Sequence, residues 1–109
     1  IDAVLNLRSK PLKIRDLISI GKKLGFKPSQ MAAVADQSIR TFQTKSKWSL
    51  LSLNASEKVL QLNGLYVVGL KVFDNKNEAL ILWLNRPSSN FKNHKPNDLL
   101  ITHLGISLV

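Results

Sequence analysis

NASEKVLQLNGLYVVGLKVF, residues 54–73, is the stretch whose reading decides the fold. Asn54 followed three positions later by Glu57 resembles a capping box, with Asn standing in for Ser or Thr, so a long helix should start there. Behind it Val59, Leu60, Leu62, Leu65, Tyr66, Val67, Val68, Leu70, Val72 and Phe73 point to nearly every side of a helical wheel. A helix that is apolar nearly all round belongs in the middle of a bundle, with neighbours on several sides. Gly64 and Gly69 each cost about 1 kcal/mol relative to Ala inside a helix, so they should mark close approaches of other helices. The length of this helix also makes it a candidate dimer interface.

Upstream, the spacing predicts three further helices. Leu12, Ile14, Leu17, Ile18, Ile20 and Leu24 recur at largely helical intervals over 11–24, with Lys13, Asp16, Lys22 and Lys23 on other faces. Pro11 suits a first turn and Gly25 a stop. A very short helix follows Pro28 through QMAAVA (30–35), whose alanines lower its cost and allow a neighbour to approach closely. Ser38 is an acceptable N-cap for a third helix running to Thr44 or Lys45, in which Ile39 and Phe42 would turn inward together. Between the last two lies a tight turn, Ala35-Asp36-Gln37. Two short helices across such a turn, supported by a longer one, form the pattern of a helix-turn-helix. The same pattern fits any small bundle with a solvated polar face. Residues 46–53 read as a linker, with Trp48 as a core plug rather than a base-stacking residue. Residues 1–10 show little pattern and read as a lead-in.

Downstream, Asp74-Asn75-Lys76-Asn77 is a turn in which Asn75 or Asn77 can cap a helix over 78–84. That helix would place Ala79, Leu82 and Trp83 toward one side. A polar loop follows between Pro87 and Pro96, with Phe91 as an apolar pin. Pro96 opens a last short helix, Asp98 suits its dipole, and Gly105 closes it. No period-two run is long enough for a strand. The expected fold is therefore all-α: a small helical bundle with a helix-turn-helix-like region over 1–53 and a C-terminal helical region over 54–109, joined by the long central helix.

Length and composition narrow the function. At 109 residues the chain is one domain or two very small subdomains sharing a core, and an apolar fraction of 44% argues against disorder. With no cysteine, disulfide and thiolate chemistry are excluded, which agrees with a cytoplasmic setting. No apolar run approaches the ~18–20 residues that span a bilayer, and no signal-peptide pattern opens the chain, so no membrane partner is expected. The net charge is +9, and residues 8–58 carry eleven Lys/Arg against three acids. The positive charge thus sits where a DNA- or RNA-facing surface could lie; the bland alternative is a solubilising coat. In the third helix, Arg40 and Lys45 can reach guanine edges or phosphates, Gln43 can pair with adenine, and Ser38 and Thr41 can hold phosphates. Thr44 and Lys47 complete the candidate DNA-binding set. His94, Asp98 and His103 lack a third strong ligand, and no nucleophile-elbow motif is present. No metal, cofactor or catalytic residue is expected, and the chain reads as a non-enzyme.

A resemblance adds to this. Val72-Phe73-Asp74, Ala79, Trp83-Leu84, Pro87, Phe91, Pro96, Asp98-Leu99-Leu100, Thr102 and Gly105 together resemble the toxin-binding domain of Xre/MbcA/ParS-type antitoxins. Leu24-Gly25 and Ser38-x-Arg40-Thr41-Phe42 resemble that family's helix-turn-helix half, and Leu53, Glu57 and Leu60 resemble the entry to its long helix. The likeness runs from about Leu24 to Gly105. Asp74 follows Phe73 without the family's intervening glycine, Lys92-Asn93 replaces a glycine pair, and Gln37 stands where an apolar turn residue is usual. The family's C-terminal extension, a further helix and a tail able to enter the toxin's active site, is missing after Val109.

The resemblance implies a bacterial type II antitoxin. Such a protein binds a cognate toxin, a RES-domain enzyme that consumes NAD or a ParT-like ADP-ribosyltransferase. It also forms a homodimer and represses its own operon through operator DNA. The toxin contact is expected on the loop 85–96 and segment 101–109, through Arg86, Lys92, Asn93, His94, Lys95, Ile106 and Leu108. Trp83, Leu84, Leu99 and Leu100 are expected to form the core of that region. The rival readings are a plain helix-turn-helix transcriptional regulator without an enzyme partner and a helical protein-interaction module.

Overall fold

The computed structural model describes residues 11–88, 91–92 and 94–109, apart from the side chain of His103. The lead-in 1–10 and the candidate contact Asn93 lie outside the described residues. The fold is all-α, with six α-helices and a 3-10 turn among the described residues.

Helix α1 (Ile14–Leu24) turns Ile14, Leu17, Ile20 and Leu24 into the core and ends at Gly25 in the left-handed region, φ 75°. It starts three residues later than Pro11 suggests. Residues 11–13 instead run against the segment 47–51: Leu51 N–H donates to the Leu12 carbonyl at 2.7 Å, while the N–H groups of Ile14 and Arg15 donate to the carbonyls of Ser49 and Lys47 at 2.9 and 2.8 Å. The first N–H groups of any helix lack intrahelical partners. Here the segment 47–51 supplies them, which makes it a structural clamp rather than a loose linker.

Helices α2 (Pro28–Val34) and α3 (Ile39–Thr44) follow the expected bounds closely. Between them Asp36 takes φ 59°, a left-handed conformation that Asp tolerates better than most residues. The Ser38 hydroxyl caps α3 by accepting the Thr41 N–H at 3.1 Å. Phe42 packs inward, but Ile39 stays 45% exposed. The two do not face the core together; among the helices, α3 rests chiefly on α2.

Helix α4 (Leu53–Val72) starts one residue before Asn54, and its cap is Ser52, whose hydroxyl accepts the Ala55 N–H at 3.1 Å. Asn54 instead donates from Nδ2 to Asp36 Oδ2 at 2.8 Å. The first half of α4 is as buried as expected, with Ala55, Ser56, Val59 and Leu62 each at 0% exposure. The second half is not: Val67, Val68 and Val72 are 53, 59 and 70% exposed. Gly69 does mark a close approach, since a Cβ there would meet Leu80 Cδ1 at 2.8 Å, whereas Gly64 faces open space.

Helix α5 (Asn77–Leu84) has Lys76 at its N-cap, and Asn77 uses its side chain to accept the Tyr66 O–H at 2.7 Å. Its buried pair is Leu80 and Leu84, one turn apart, rather than Ala79, Leu82 and Trp83; Leu82 is 66% exposed and Trp83 38%. A 3-10 turn, Pro96–Leu99, leads to α6 (His103–Leu108). Gly105 lies inside α6 and does not close a helix. Thr102 caps α6 by accepting the Gly105 N–H at 3.0 Å, and any Cβ on Gly105 would collide with the Leu99 carbonyl oxygen. One hydrophobic cluster runs through both regions, joining Leu17, Leu24 and Val34 to Leu62, Leu84 and Leu100. Among the described residues, no helix is long and apolar enough to cross a membrane.

Candidate nucleic-acid interface and docking face

The basic half of the sequence becomes a surface through α3 and its surroundings. Ser38, Arg40, Thr41, Gln43, Thr44, Lys45 and Lys47 are all exposed. The smaller members hold the helix itself: Ser38 Oγ donates to Thr41 Oγ1 at 2.9 Å, and Thr44 Oγ1 donates to the Thr41 carbonyl at 2.9 Å. Arg40, Gln43 and Lys45 are left as the long reach of this face. Gln43, Lys45 and Lys47 also line one side of a cleft of about 320 Å³, with Lys22 beside them and Ile18 and Met31 in its wall.

The acids of this region are largely committed elsewhere. Asp16 accepts the Lys13 N–H at 2.8 Å. Asp36 pairs with Lys58 Nζ at 3.0 Å and also accepts from Asn54. Lys58 itself is only 5% exposed and donates further to the Val34 carbonyl at 3.4 Å. It counts toward the positive charge of 8–58 but does not belong to the exposed basic face. No ion pair ties Lys13, Arg15, Lys45 or Lys47 among the described residues.

Trp48 corrects a second expectation. It is 54% exposed and does not plug the core; Leu51, at 3%, fills that place. The carbonyls on either side of Trp48 are turned toward α1 as caps, and its side chain is left outside. The Arg15 guanidinium carbon lies 4.6 Å from the Trp48 ring centroid, with Lys13 Nζ at 5.4 Å and Lys47 Nζ at 5.7 Å. The nearby Lys45 and Lys47 were visible beside Trp48 in the chain; the contribution of Lys13 and Arg15 was not.

In the C-terminal region, Arg86, Lys92, His94 and Lys95 are exposed on a loop that closes on itself. Ser88 N–H donates to the His94 carbonyl at 3.1 Å, Phe91 N–H to the Ser88 carbonyl at 3.0 Å, and His94 N–H to the Phe91 carbonyl at 3.0 Å. Lys92 takes φ 54°, so it adopts the left-handed backbone for which a glycine would be easier. The exit of the loop is anchored by Asn97, 3% exposed, whose Nδ2 donates to Asn85 Oδ1 at 3.1 Å. Of the two apolar candidates beyond it, Leu108 is 60% exposed, but Ile106 is a core residue at 5%.

The feature that sequence reasoning missed is an apolar groove of about 310 Å³ between α4 and α5, lined chiefly by Leu65, Val68, Val72, Phe73, Trp83 and Val109. Phe73 and Trp83 meet there with ring centroids 6.3 Å apart. The available signal was the all-round apolarity of α4, which asks for more neighbours than a chain of this size supplies.

The fold and these surfaces define a small all-α protein with a basic face around α3 and an uncovered apolar groove on its C-terminal region. No protein-family model matches the chain, and no curated protein matches it.

Proposed function

We propose that this chain is the antitoxin of a bacterial type II toxin-antitoxin system. On this reading it neutralises a cognate NAD-consuming or ADP-ribosylating toxin by binding it, works in the cytoplasm as a homodimer, and represses its own operon through a helix-turn-helix. The observation that carries the reading is the presence, in one small molecule, of an exposed Arg40–Gln43–Lys45 face together with an apolar groove open to a protein partner. A contiguous apolar surface left open on a folded protein points to an interaction site more strongly than scattered exposed apolar residues do.

Two details support the resemblance to Xre/MbcA/ParS-type antitoxins. The Thr-x-x-Gly spacing at the end of the motif has a physical basis here, since Thr102 caps α6 and only a residue without Cβ fits beside Leu99. Lys92 occupies a left-handed backbone at a position where that family carries glycine. The toxin contact would combine Arg86, Lys92, His94 and Lys95 with Leu108 and the rim of the groove.

Co-expression with the product of the neighbouring gene tests the reading. The chain should restore growth that the toxin arrests, and the variant Arg40→Ala should still do so while losing operator binding. Operator affinity should fall steeply with salt, as phosphate contacts release counterions. Operator binding without any rescue would favour the plain transcriptional regulator.

A further inference from the structure

We infer that Trp48, with Lys13, Arg15 and Lys47, forms a binding site for single-stranded nucleic acid that adjoins the α3 face and shares Lys47 with it. The inference does not depend on the antitoxin reading. It begins with an unusual arrangement: three cations stand within 5.7 Å of one indole centroid, on a ring whose residue is more than half exposed. Attraction of each cation to the ring is weak at an exposed site. Mutual repulsion among three neighbouring positive charges works against it. Among the described residues none of the three is in an ion pair, and the acid nearest them in the chain, Asp16, which accepts the Lys13 N–H, offsets only one of three positive charges. The cluster is therefore poised to accept anions.

The indole selects among anions. A platform for single strands combines cations that follow the phosphates with an aromatic ring on which an unpaired base stacks. A paired base in a duplex cannot present its face in this way. The platform is also held in place before any ligand arrives. Its two halves, the start of α1 and the segment 46–51, are fastened by the Arg15-to-Lys47 and Ile14-to-Ser49 hydrogen bonds, and the Trp48 N–H donates to Ser46 Oγ at 3.2 Å. Little conformational freedom is left to lose at the backbone when a strand binds. Lys47 also borders the cleft with Gln43 and Lys45, so a strand on Trp48 could continue along a basic track.

The test uses the full chain with Trp83→Phe, so that Trp48 is the sole tryptophan, and short dT and rU oligonucleotides at low salt. Saturable quenching of Trp48 by either oligonucleotide is expected, and the ratio of the two affinities gives the preference between DNA and RNA. In the otherwise unchanged chain, Trp48→Ala should weaken binding of a labelled oligonucleotide by roughly 5- to 150-fold, the range for loss of one stacked base. Trp48→Phe should retain most of the affinity. An abasic oligonucleotide of equal length should bind the unchanged chain about as weakly as dT binds Trp48→Ala. Arg40→Ala should weaken oligonucleotide binding far less than Trp48→Ala does, which assigns the stacking contact to Trp48 rather than to α3. Equal affinity of the dT and abasic strands, or no effect of Trp48→Ala in a chain with unchanged helical circular dichroism, would overturn the proposal.

Discussion

Leu62 and Val68 lie on the same helix, less than two turns apart, and both belong to an unbroken apolar pattern. Leu62 is 0% exposed and Val68 59%. The difference has nothing to do with their hydrophobicity. Helix α4 packs against α1, α2, α5 and α6, yet together they leave Val67, Val68 and Val72 exposed. An apolar surface is buried only where the chain has another element to lay on it, and here the elements run out. What remains open is the groove between α4 and α5 and the row Val67, Val68 and Val72.

That contrast can be broken most strongly from its buried side. Leu62→Ala should lower stability by about 3–4 kcal/mol, since it removes a fully enclosed side chain and leaves a cavity; Val68→Ala should cost under about 0.5 kcal/mol. Urea denaturation of the two variants measures the difference directly, and equal losses would mean that the second half of α4 is covered in solution.

The next effect concerns the lysine that the closed half encloses. Asp36→Ala should cost about 2 kcal/mol, below the ~3–5 kcal/mol for a fully buried pair because Asp36 keeps about half of its side chain in water. Replacing Lys58 by Met, which keeps the volume and removes the charge, should cost less than Asp36→Ala does. A chemical melt of both variants checks the order.

The two glycines of α4 sharpen the comparison in opposite directions. Gly64→Ala should raise stability by about 0.5–1 kcal/mol, because the added methyl enters open space and the helix gains propensity. Gly69→Ala should gain less or lose stability, because its Cβ presses on Leu80 where α4 and α5 touch. Thermal midpoints of the pair suffice to test this.

The smallest effect on stability should carry the largest consequence for association. Val68→Ser should change the folding free energy by under about 0.5 kcal/mol yet weaken dimer formation or toxin capture if the groove serves either. Analytical ultracentrifugation and toxin pull-down provide the readout. Unchanged behaviour in both would remove the groove from the binding surface.

Local signals account for much of what the sequence revealed. The stripe Ile14–Leu17–Ile20–Leu24, the stop at Gly25, the proline start of α2 and the Ser38 cap of α3 all act within a few residues. The exposure of Ser38, Arg40, Thr41, Gln43, Thr44, Lys45 and Lys47 follows from the same short-range spacing. Where two local signals compete, contacts distant in the chain decide between them. Ser52 and Asn54 are both good caps, and Ser52 prevailed while Asn54 reached across to Asp36. In α5 every apolar residue suits a helix, so only the position of α4 determines that Leu80 and Leu84 turn inward. The burial of Ile106 is set in the same way, by what α6 rests upon.

By itself, the sequence determined helices α1 to α5, most of their ends and the concentration of positive charge before residue 58, because propensity, capping and periodicity are interactions between near neighbours in the chain; the separate 3-10 turn and α6 were not legible there. Tertiary structure alone decided which apolar residues are core and which are surface. It withdrew Lys58 from the basic face, turned Trp48 outward among Lys13, Arg15 and Lys47, and left half of α4 uncovered. Burial depends on how many elements can pack against a given face, and that number is a property of the assembled molecule.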